Sequence, residues 1–95
     1  MIVTWGNRLY EVQLVKNRTR DVWNYSIIGK PMANDRVYDI LLGKMFKCGK
    51  KLQPWGYVGS NEIVYANNFN DLRRVLMKQV YEVYGEEPEQ KKHHF

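Results

Sequence analysis

Residues 34–49 read Asn-Asp-Arg-Val-Tyr-Asp-Ile-Leu-Leu-Gly-Lys-Met-Phe-Lys-Cys-Gly, and the reading of this stretch decides the fold. Val37, Ile40, Leu41, Met45 and Cys48 follow the spacing i, i+3, i+4, i+8, i+11. That spacing gathers apolar side chains on one side of an α-helix. Asn34 suits an N-cap, and Asp35 complements the positive end of the helix dipole. Gly49 suits the position just past the last turn, with Lys44 and Lys47 near the negative end. The stretch therefore predicts a helix over 34–48.

On its N-terminal side the chain alternates. Tyr10, Val12 and Leu14 fall on one face of residues 8–16, opposite Glu11 and Gln13. Trp23, Tyr25 and Ile27 do the same in residues 22–28, opposite Asn24 and Ser26. A period of two is that of a half-buried strand. Residues 2–5 make a shorter strand, with Gly6-Asn7 as the turn that follows. The polar stretch 17–21 predicts an exposed hairpin loop, and Pro31 ends the third strand because it cannot donate to a ladder.

On the C-terminal side, residues 55–58 and 62–66 read as two short strands around the turn Gly59-Ser60-Asn61. A second helix is predicted over 68–84. Asn68 and Asp71 have capping-box spacing, Leu72, Val75, Leu76, Val80 and Val83 share a face, and Gly85 is the stop. The result is an α+β domain of order β-β-β-α-β-β-α. A small antiparallel-rich sheet would carry both helices on one face. One domain spans 1–85, and residues 86–95, without periodicity, are expected to be a mobile polar tail.

Composition excludes several classes. With 44% hydrophobic residues the chain has material for a core, so it does not read as disordered. No apolar run, Ile40-Leu41-Leu42 included, approaches the length that spans a bilayer, and the N-terminus lacks the pattern of a signal peptide. Cys48 is the single cysteine, so no internal disulfide forms and a reducing, cytoplasmic location is expected. The formal charge is +5, with the excess in residues 1–60, which favours an anionic partner.

Catalysis finds little support. Cys48 lies on the predicted apolar stripe, where a cysteine is usually an inert small hydrophobe. The two histidines, His93 and His94, fall in the tail, where a base holds no fixed geometry. Asp35 and Asp39 read as helix-dipole partners. There is no glycine-rich phosphate loop, no metal-ligand spacing and no cofactor motif. The sequence is read as non-enzymatic, with no metal and no cofactor.

Three basic groups are the binding candidates. Lys16, Arg18 and Arg20 sit on the predicted hairpin loop. Lys44, Lys47, Lys50 and Lys51 advance by about one helical turn each and would line one edge. Arg74 and Lys78, with Tyr81, stand on the outer face of the second helix. Trp55 and Tyr57, which follow Lys50 and Lys51 closely, are the stacking candidates. Tyr10, Trp23 and Tyr25 belong more naturally to the core.

The leading expectation is a small basic protein that binds nucleic acid through basic loops and an aromatic side chain. An alternative is a small inhibitor or adaptor acting by protein–protein contact, for example a phage-encoded inhibitor of a host enzyme. A nucleotide-binding sponge is a third.

Overall fold

In a computed structural model of the chain, residues 1–19, 22–33, 37–48 and 53–85 are described, with Arg18, Thr19, Val22, Trp23 and Cys48 described by backbone alone. Within them six strands precede one helix. The strands are β1 (Ile2–Trp5), β2 (Arg8–Thr19), β3 (Val22–Pro31), β4 (Ile40–Cys48), β5 (Trp55–Val58) and β6 (Val64–Tyr65). The helix is α1 (Phe69–Tyr84). All neighbours are antiparallel and the strands lie in chain order, so the sheet is a simple meander. The α+β class agrees with the sequence reading.

The predicted first helix is corrected. Residues 40–48 form a central strand, and the predicted cap Asn34 lies outside the described residues. The physical reason is a β-bulge. Ile27 pairs with Gly43 and Ile28 with Leu41, which leaves Leu42 as the extra residue. The Leu42 carbonyl instead accepts a hydrogen bond from the Gly59 N–H at 2.8 Å. A bulge resets the alternation of faces. Leu42 and Met45, three apart, are therefore both buried in the same core. That spacing imitates one turn of helix, while Leu41, expected on the buried stripe, is 56% exposed.

The hairpins form for local reasons. Gly6 (φ 58°) and Asn7 (φ 64°) both adopt the left-handed conformation that a two-residue turn between twisted strands requires. Trp5 then pairs with Arg8, and Val3 with Tyr10. The β2–β3 ladder runs out to Thr19 and Val22, so Lys16 and Arg18 stand on a strand rather than on the predicted loop. A polar ladder extends in this way because its backbone groups are satisfied by the partner strand whatever the side chains.

Helix α1 begins as its sequence predicts. The Asn68 side-chain oxygen accepts from the Asp71 N–H at 2.8 Å, while its amide donates to the Asp71 carboxylate at 3.0 Å. Leu72, Leu76 and Val80 are fully buried, but Val75 and Val83, placed on the same stripe by the sequence, are exposed. The buried stripe is narrow because, among the described residues, α1 lies on the sheet with no second helix beside it. It contacts β5 and β6 near one edge and β1 at the other, so the sheet curls around it. Gly85 ends the helix and bridges to Val3.

Candidate nucleic-acid interface

Alternation sorts every strand residue onto one of two faces. The covered face carries Val3, Tyr10, Ile27, Met45 and Val58, all buried beneath α1. Tyr25 joins them and packs against Phe69, with ring centroids 4.6 Å apart. Tyr10 and Tyr25 are thus core residues rather than a stacking platform.

The opposite face has no helix on it among the described residues. Lys44 stands in register with Ser26 on one side and Tyr57 on the other. Phe46 stands in register with Asn24 and Trp55, and Trp55 with Tyr65. The Phe46 and Trp55 rings stack, with centroids 4.2 Å apart and planes 19° from parallel. Tyr65 beyond them is 63% exposed. Asn17 donates from its amide to the Ser26 hydroxyl at 3.0 Å, so the aromatic rows run into a polar strip on β2 and β3. Farther along, the same face turns aliphatic at Ile2, Leu9, Val15 and Leu41, all exposed.

The candidate residues do not form the single edge that helical spacing implied. Lys44 and Lys47 are an odd number apart on one strand and fall on opposite faces. Lys47 is in register with Trp23, which pairs in turn with Arg18, and Lys16 pairs with Tyr25. Two of the three basic groups therefore converge across β2, β3 and β4 at the hairpin end of the sheet. Arg20, Lys50 and Lys51 lie outside the described residues. Arg74 and Lys78 are exposed on α1, and Arg74 pairs with Asp71 at 3.5 Å. They lie on the helix side of the molecule, away from Trp55 and Tyr57.

Charge follows the same division. The strands carry Arg8, Lys16, Arg18, Lys30, Lys44 and Lys47 against the single carboxylate of Glu11. Strands β3 to β6 contain no acidic residue. Helix α1 is nearly balanced, with Arg73, Arg74 and Lys78 against Asp71 and Glu82. The positive potential of the described residues thus belongs to the sheet.

Phe46 and Tyr65 were not singled out in the sequence. The strand alternation Lys44-Met45-Phe46-Lys47 would have pointed to Phe46, and Tyr65 becomes a neighbour of Trp55 only through register. No cluster of three or more metal-ligating side chains occurs among the described residues, and no helix among them is long and apolar enough to cross a membrane. No family model, no curated protein and no solved structure matches the chain. Functional argument therefore rests on its own residues.

Proposed function

We propose that this protein binds nucleic acid without catalysing a reaction, through the positively charged sheet, in the cytoplasm. One observation carries the reading. On the open face Lys44 stands in register with Tyr57, next to a stacked Phe46–Trp55 pair with Tyr65 beyond it, and strands β3 to β6 themselves carry no carboxylate. Lysines neutralise phosphates, and half-exposed rings offer faces to bases. Lys16, Arg18 and Lys47 hold register positions on the other face, with Tyr25 and Trp23, and would meet phosphate only where a nucleic-acid strand passes round the hairpin end.

The test is a titration with short oligonucleotides at two salt concentrations. Lys44→Ala should weaken binding to all sequences, and by more than Lys47→Ala or the pair Arg18→Ala with Arg20→Ala. The slope of log affinity against log salt should shrink by about 0.7 per lost contact on a single strand and about 0.9 on a duplex. Arg74→Ala with Lys78→Ala, on the helix, should change little. Absence of binding by the wild-type protein at low salt would refute the proposal.

A second reading draws on the exposed aliphatic residues Ile2, Leu9, Val15 and Leu41. Apolar side chains gathered on an open face also suit a protein partner, as for an inhibitor or adaptor. A stoichiometric protein recovered from nuclease-treated native lysate would favour it.

A further inference from the structure

We infer that the aromatic end of the open face takes an unpaired base, stacked on the exposed ring of Tyr65 beside Trp55. This rests on the nucleic-acid reading above and narrows it to single strands. Phe46, from β4, already covers one face of the indole at 4.2 Å. Strand order puts Tyr65 of β6 on the other side of Trp55, in direct register. Tyr65 is 63% exposed, so its ring is the member of this row most open to a base.

Neighbouring strands are about 4.8 Å apart, and side chains two apart on a strand about 6.8 Å. Those spacings set Tyr57 and Tyr65 within reach of adjacent nucleotides around Trp55. Bases in a duplex have their faces buried in the stack, so only an unpaired base can use such a platform. Lys44, in register with Tyr57, supplies a cation for the connecting phosphate. Strands β3 to β6 themselves carry no carboxylate, and the nearest along the chain, Glu62, lies in the exposed loop between β5 and β6. Charge and rings together thus specify a single-stranded nucleic acid as the occupant of this face.

The experiment compares three probes of equal length: an oligothymidylate, an abasic deoxyribose-phosphate oligomer and a duplex. Each is titrated into wild-type protein, Trp55→Leu and Tyr65→Ala. The wild type should bind the oligothymidylate about tenfold or more above the abasic oligomer, and above the duplex. Both substitutions should erase that margin while leaving abasic binding and its salt slope unchanged. Tyr65→Ala keeps the test open should Trp55→Leu fold poorly, because the Tyr65 ring is mostly exposed. Equal binding of base-bearing and abasic probes, or a duplex bound at least as tightly as the single strand, would overturn the inference and leave salt-dependent nucleic-acid binding standing. Failure of all three probes at low salt would overturn both.

Discussion

The two faces of the sheet are built from the same strands and differ in almost every physical respect. On β4, Met45 is fully buried beneath α1, while its neighbours Lys44 and Phe46 point the other way and remain partly exposed. On β5, Gly56 and Val58 face the helix, whereas Trp55 and Tyr57 face away. The covered side combines aliphatic side chains and the rings of Tyr10 and Tyr25 with glycines where elements come closest. The open side combines large rings with lysine, asparagine and serine. Hydrophobic burial explains the first set completely. It does not explain the second, since polar residues would serve an outward face at least as well. The difference assigns stability to the covered face, and the proposed function places recognition on the other.

The comparison is broken most easily by altering the covered face. Leu76→Ala should cost about 2–5 kcal/mol of stability, as expected for removing a fully buried leucine from a packed core. Tyr65→Ala, on the open face, should stay within about 1 kcal/mol in the same denaturant series. If the two losses were comparable, the division of labour between the faces would fail.

A smaller effect tests the close approach of sheet and helix. A Cβ on Gly56 would meet the Lys44 carbonyl oxygen and lie 2.6 Å from Leu76 Cδ1. Gly56→Ala should therefore destabilise by about 1–3 kcal/mol, the usual range for overpacking. Thermal unfolding would read it. An unchanged midpoint would mean that the helix sits farther from β5 than described.

Much of the framework was legible because each strand of the first two hairpins keeps its own alternation. Tyr10, Val12 and Leu14 face the core, as their spacing says, and so do Tyr25 and Ile27. Asn68 announced α1 through a local hydrogen bond that needs no distant partner. Strand β4 was illegible for an equally physical reason. The bulge at Leu42 interrupts the period of two, and the six strand residues after it are too few to outweigh a helical match. The site was legible only where it is local. Trp55 and Tyr57 share a face because one residue separates them. Phe46 and Tyr65 join them through register, which a single sequence does not carry. The lysine row inferred from helical turns disappeared together with the helix that supported it.

The most direct test of the account locates binding on the sheet. An amide nitrogen–proton correlation spectrum would be followed while a short single-stranded oligonucleotide is added. The account predicts shifts at Lys44, Phe46, Tyr57 and Tyr65 and at the Trp55 indole N–H, with Leu72, Leu76 and Val80 of α1 unmoved. Shifts confined to α1, or a spectrum unchanged at low salt, would contradict it.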